Sequence, residues 1–211
     1  MEGDEEVVGV STATTTRPPT VATRSTNRVS DLLDAAAVHF ATQGYHRTTI
    51  RDVTSAVGMK AGSSYYHFAS KAEMLLAVYE EGVRRVQSSV DDALRDQHDD
   101  APWDRLEAAL RGHITAVLDP SAYARTIVAV LPDDVPELRD EIARLRDGYE
   151  TQWRALVDAL GAPVDAQLLR VFLLSAANST QTWFRRGRSS PSEIARVIVD
   201  VLRHPMDPTS R

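Results

Sequence analysis

Tyr65, Tyr66, His67 and Lys71 fall within seven residues of one another, inside the stretch TTIRDVTSAVGMKAGSSYYHFASKAEML at 48–75. Two phenols, an imidazole and an ammonium together make a set of donors suited to anionic oxygen, as on a phosphate backbone. Other chemistries find no foothold in the chain. It has no Cys, which excludes disulfides, thiol catalysis and thiolate metal sites. His98 and His113 stand fifteen apart and no carboxylate–His pair recurs at helical spacing, so no metal site is expected. Gly-x-Ser-x-Gly, a phosphate-binding Gly-rich loop ending in Lys-Ser/Thr, and His-Glu-x-x-His are all missing. GMKAGSS holds glycines and a lysine in the wrong order to cradle a nucleotide phosphate.

The elements that must position these side chains are short. Val29, Leu32, Leu33, Ala36 and Phe40 recur at helical spacing over about 28–43, and Gly44 stops that helix. Thr49 with Asp52 reads as a capping box opening a two-turn helix over 50–57, which ends at Gly58. A third helix is expected over 60–67. Ser70 with Glu73 opens a fourth that runs to about Gln97. Helices this short do not persist alone, because nucleation is too costly below roughly 12–15 residues. Val53, Val57, Met59, Phe68 and Leu75 supply the apolar contacts that would hold them against their neighbours. A helix–Gly turn–helix with polar outward positions is an arrangement that sets a helix into a DNA major groove. The small residues Ala61, Gly62 and Ser63 would let that helix approach base edges closely. Tyr65, Tyr66 and His67 could then bond phosphates, with Lys71 adding charge at a helix N-terminus. For Tyr66 and His67 the competing reading is packing of the third helix on the first.

Of 211 residues 43% are hydrophobic, enough for a packed core. The net charge of −6 is unevenly spread. Residues 1–16 carry four acids and no base, whereas residues 17–75 carry seven Lys/Arg against four Asp/Glu. A basic head on an acidic body suits a protein that offers one end to a polyanion. No apolar run reaches the roughly 18 residues of a membrane span, and the acidic N-terminus lacks a secretory layout, so the cytoplasm is the expected compartment. Residues 1–26, rich in Thr, Ser, Pro and acid, read as a disordered tail. Beyond the head come helices over Trp103–Leu118 with Pro102 at the first position, 121–130, 136–160, 165–185 and 191–203. No segment alternates as a strand would. The fold class is all-α, with about nine helices.

The pattern Thr-Thr-x-x-Asp-Val-x-x-x-x-Gly-x-x-x-Gly-Ser-x-Tyr-Tyr-His-Phe-x-Ser-Lys-x-Glu resembles the DNA-binding domain of the TetR family of bacterial transcriptional regulators, and it runs without a gap from Val29 to about Val78. The resemblance implies a helix-turn-helix domain over 27–75 and a ligand-binding and dimerisation domain over 76–211. It implies that Thr49 meets phosphate and Arg51 a base. Ala61, Gly62, Ser63 and Tyr65 would face the groove, and Tyr66, His67 and Lys71 would hold the backbone. The chain departs from the pattern twice. Lys60 stands where a capping Ser or Thr is usual and is free to contact phosphate, and Ser64 replaces an apolar core residue.

In such regulators the last two helices pair with a second copy. VFLLSAANSTQTWF (171–184) and IARVIVDVL (194–202) are apolar over enough of their circumference to be buried on several sides. The resemblance makes this a homodimer on a palindromic operator, and pattern alone also fits a monomer core. NSTQTWFRRGR is similar to the C-terminal motif of a branch that includes actinobacterial lipid- and steroid-catabolism repressors, which implies a small apolar or acyl-CoA effector. Arg185, Arg186 and Arg188 fit phosphates at a pocket mouth, and equally a solvated helix end. Further pocket candidates are Leu131, Tyr149, Trp153, Phe172, Asn178 and Trp183, with His113 and Arg125 as polar handles. No cofactor is expected. A ligand-responsive DNA-binding repressor is therefore the leading expectation. Its rivals are a helical enzyme acting on acyl thioesters and a protein-binding adaptor without DNA binding.

Overall fold

In the computed structural model residues 21–98 and 101–206 are described, the side chains of 21–27 and 204–206 excepted. Nine α-helices run through them: α1 (Val21–Gln43), α2 (Ile50–Ala56), α3 (Ala61–Ser64), α4 (Lys71–Arg95), α5 (Pro102–Val117), α6 (Ala122–Ala129), α7 (Arg139–Asp158), α8 (Ala166–Trp183) and α9 (Pro191–Met206). Two 3₁₀ turns, Pro132–Asp134 and Pro136–Leu138, join α6 to α7. No strand occurs among the described residues.

Three boundaries differ from the sequence reading. α1 opens at Val21, so residues 21–26 of the expected disordered tail are helical. Their polar composition carries no apolar period to announce a helix, yet no Gly or Pro interrupts the chain between Pro19 and Gly44. Residues 1–20 of that tail lie outside the described residues. α3 is a single turn over Ala61–Ser64 rather than a helix over 60–67. The chain then closes a tighter turn in which the amides of His67 and Phe68 both donate to the Ser64 carbonyl at 2.8 Å. Finally α7 begins at Arg139, because the prolines at 132 and 136 hold the approach in 3₁₀ turns.

Two apolar clusters hold the helices together. One joins Leu32 and Phe40 of α1, Val53 of α2, Phe68, and Leu75 and Tyr79 of α4 to Tyr123 of α6 and Ile142 of α7. The head thus shares its core with helices far down the chain. Polar ties reinforce that seam: Tyr123 Oη donates to Asp34 Oδ1 at 2.8 Å, and Thr126 Oγ1 donates to the Ala37 carbonyl at 3.2 Å. The other cluster gathers Val90, Leu110, Ile114, Trp153, Leu173 and Ala195 from α4, α5 and α7–α9. α4 and α5 cross closely at Gly112, where an added Cβ would lie 2.5 Å from the Ser89 carbonyl oxygen.

Candidate functional site: a nucleic-acid interface and a buried cavity

The head is built by local signals. The Thr49 backbone N–H and hydroxyl both donate to Asp52 Oδ2, at 2.9 and 2.7 Å, while the Asp52 amide donates to Thr49 Oγ1 at 3.2 Å. That reciprocal box fixes where α2 starts and holds the Asp52 carboxyl below its ordinary pKa. It also occupies the Thr49 hydroxyl, the group expected to meet phosphate. Gly58 takes φ +65, a left-handed turn that only glycine adopts without strain, and Met59 N–H donates to the Thr54 carbonyl at 2.8 Å. Lys60 is exposed and caps α3 with no side-chain hydrogen bond. Ser64 is fully buried and satisfies itself by donating to the Ala61 carbonyl at 2.7 Å. Ser70 Oγ accepts from the Glu73 amide at 3.0 Å, but Glu73 returns its bond to the Ala69 amide, one residue earlier than a strict box.

What the head presents outward is Arg51, Lys60, Gly62, Ser63, Tyr65 and Tyr66, all exposed. Tyr66 is 89% exposed and meets His67 edge-on at 5.4 Å, so its ring does not pack α3 onto α1. A Cβ built on Gly62 meets nothing within 4 Å, so no neighbour within the chain requires a glycine there. Ala61 and His67 are half-buried. Lys71 is half-buried too: Nζ donates to the Tyr45 carbonyl at 2.9 Å and stands 4.1 Å from the centre of that tyrosine's ring.

A cavity of ≈ 170 Å³ opens between α4, α5, α6, α7 and α8. α4 contributes Tyr79, Val83 and Val86, and α6 contributes Ile127 and Val128. α5 adds His113 and Val117. Arg146, Tyr149 and Glu150 come from α7, with Val171, Leu174, Ser175 and Asn178 from α8. His113, Tyr149 and Asn178 were therefore legible as lining, and they form one network. Tyr149 Oη donates to His113 Nδ1 at 2.6 Å, and His113 Nε2–H donates to Asn178 Oδ1 at 3.0 Å. Burial lowers the His113 pKa to about 4, with the Asn178 bond opposing, so the imidazole is neutral at pH 7. Burial also raises the Tyr149 phenol, which stays protonated. Trp153 is fully buried behind this network, edge-on to His113 at 5.5 Å.

The other expected pocket residues lie elsewhere. Arg125, Leu131, Phe172, Trp183 and Arg186 are exposed and do not line the cavity. Arg185 donates to the Phe184 carbonyl at 2.9 Å at the end of α8. That contact gives a carbonyl at the C-terminal end of α8 a cationic donor. Sequence reasoning missed Tyr79, the valines of α4 and α6, and the Arg146/Glu150 pair. Arg146 and Glu150 share the helical face of Ile142, Tyr149 and Trp153 at i, i+3 and i+4 spacings, which was the available signal. No helix among the described residues is long and apolar enough to cross a membrane, and no group of three or more potential metal ligands occurs there.

A helix-turn-helix head sharing its core with a helical body that encloses a cavity defines a ligand-responsive DNA-binding regulator. Residues 32–78 match the family described as bacterial regulatory proteins of the tetR family, and residues 99–206 match the tetracyclin repressor-like C-terminal domain. The chain belongs to the TetR family. It is 28% identical over 182 residues to the HTH-type transcriptional repressor KstR2 of Rhodococcus jostii (strain RHA1), covering 77% of this chain and 82% of that one. Among solved structures, the superantigen PfiT is 31% identical with a TM-score of 0.68, over 82% of this chain and 94% of that one. The structure of AibR in complex with isovaleryl coenzyme A and operator DNA superposes with a TM-score of 0.67 at 23% identity, over 82% and 97% of the two chains, a likeness of fold.

Proposed function

We propose that this chain acts in the cytoplasm as a homodimeric repressor that holds a palindromic operator and releases it when a small apolar or acylated molecule enters the cavity. Tyr79 carries the reading. It is buried in the cluster that supports the head, lines the cavity, and donates to the Ile127 carbonyl at 3.3 Å. A ligand that prefers one packing of Tyr79 and α6 therefore biases α1 and α4, and through them the angle of the head. Only a difference in affinity between the two packings can shift the operator equilibrium. The bound AibR complex supports an acyl thioester as one such ligand.

On the DNA side, α3 presents a flat patch of Gly62 and Ser63 to the groove, with Tyr65 beside it. Tyr66, His67, Lys60 and Lys71 serve the phosphates. Arg51 reads a base, Ala61 contributes to the small face, and Thr49 meets phosphate by turning its hydroxyl proton from Asp52 to the anion. Fluorescence anisotropy with fragments from upstream of its own gene tests the reading. Salt-sensitive binding is expected, with loss of affinity on adding short acyl-coenzyme A thioesters. Arg51→Ala is expected to relax preference at one position per half-site, a change of about 1–3 kcal/mol. Absence of salt-sensitive affinity for any such duplex would overturn the proposal.

A further inference from the structure

Two charged side chains line the cavity, and only one of them is matched. Glu150 pairs with Arg170, whose guanidinium is buried on α8. Arg146, one helical turn before Glu150, has no carboxylate within ion-pair distance among the described residues; its Nη1 donates to Tyr79 Oη across a long 3.4 Å. His113 on the facing wall is neutral and adds no charge. Arg146 is thus the lining charge without a counter-ion among the described residues. A half-buried guanidinium in a cavity also lined by Val83, Ile127 and Val128 is less hydrated than a surface one and presents a planar fork of donors, which is the geometry that receives an oxyanion.

Resting on the reading of this cavity as the effector site, we infer that the effector carries a single oxyanion that pairs with Arg146, on an apolar body that fills the space toward His113 and Asn178. The size follows from the volume. A cavity of about 150 Å³ holds benzene, so ≈ 170 Å³ takes about six or seven heavy atoms of that body, and a longer one extends through the mouth. Asn178 Oδ1 is occupied by His113, which leaves the Asn178 amide hydrogens to meet any carbonyl on that body. The oxyanion has two possible sources: the carboxylate of a free medium-chain or cyclic acid, and a phosphate of a thioester's carrier. A cavity this small has room for a carboxylate but not for the carrier of a thioester, which favours the carboxylate.

The test is calorimetry on the full-length protein at pH 7.5 with octanoate, methyl octanoate and octanoyl-coenzyme A, and a parallel anisotropy titration of the operator complex. Octanoate is expected to bind about tenfold tighter than its methyl ester, and Arg146→Gln to abolish that preference while the ester still binds. If Arg146→Gln loses the ester as well, Arg146→Lys decides: retained preference for the acid supports the inference, and its loss overturns it. A thioester that binds and weakens in Arg146→Gln, with octanoate silent, supports the inference and assigns the oxyanion to phosphate. Equal binding of acid and ester, a thioester indifferent to Arg146→Gln with octanoate silent, or silence from all three overturns it. Arg146-dependent octanoate binding without operator release would leave this inference standing and sink the proposed repressor mechanism instead.

Discussion

Lys71 Nζ donates to the carbonyl of Tyr45 at 2.9 Å and stands 4.1 Å from the centre of the same residue's ring. Tyr45 in turn donates its hydroxyl to Glu137 Oε1 at 2.8 Å, 92 residues along the chain. The lysine at the start of α4 therefore pins the loop that leads into α2, and that loop is tied to the turn that leads into α7.

The ammonium of Lys71 has three donors and one is taken, so two remain for phosphate. Lys71→Ala is expected to act twice. It should lower the melting temperature by loosening the Tyr45 loop, and it should weaken operator binding evenly across sequences. Anisotropy at several salt concentrations checks the second effect: the slope of log K against log salt should fall by about 0.9. An unchanged slope with a lower melting temperature would make Lys71 purely structural.

Two glycines on the central helices should respond differently to alanine. At Gly112 the new Cβ would press on backbone, 2.5 Å from the Ser89 carbonyl oxygen and 2.8 Å from the Val90 Cα. At Gly82 its nearest neighbour is the Ile127 side chain at 2.7 Å, which can rotate away. Gly112→Ala is expected to cost about 1–3 kcal/mol as overpacking, and Gly82→Ala less. Urea unfolding followed by circular dichroism ranks them. Gly82→Ala should also perturb the cavity, since Ile127 lines it.

His113 makes stability depend on pH. Its folded pKa of about 4 lies below the ordinary value near 6.5, so below pH 6.5 the unfolded chain takes up a proton that the folded chain refuses. Above pH 6.5 both states are neutral and this group contributes no pH dependence. As pH falls from about 6.5 toward 4, stability drops by about 1.4 kcal/mol per unit from this residue. His113→Gln should flatten that fall relative to the parent. Urea midpoints at pH 7 and pH 5 measure the difference, and parallel curves for both proteins would contradict the assignment.

Phe172 on α8 is 55% exposed, and Val197 and Val201 on α9 are 60% and 62% exposed. Apolar side chains left this open on two successive helices, both packed on α5, fit a surface covered by a second copy. Phe172→Glu with Val201→Arg is expected to give monomers by light scattering and to lower operator affinity steeply, because two linked heads gain from each other's binding. Dimers that persist in that double variant would place the contact elsewhere.

The head was legible in the sequence because its determinants are local. Thr49 and Asp52 cap α2 across three residues, Ser70 caps α4, Gly58 demands a left-handed turn, and Leu32, Phe40 and Val53 follow helical spacing. The exposed fate of Tyr66 needed the structure, since a tyrosine beside a short helix suits packing and phosphate contact alike. The cavity was barely legible. Of the aromatic residues expected in its walls Tyr149 lines it, as do valines of α4 and α6, while Phe172 and Trp183 are exposed outside it.

By itself, then, the order of residues determined which segments become helices and which short turn carries the reading face, because caps, breakers and periodicity act within a few residues. Tertiary structure alone decided which side chains share the cavity and which charges there remain unmatched. Arg146 and Glu150 look alike as charged members of α7 until α8 brings Arg170 against Glu150 and leaves Arg146 without a carboxylate among the described residues. Burial and pairing depend on how five helices cross, and no spacing along one helix encodes that.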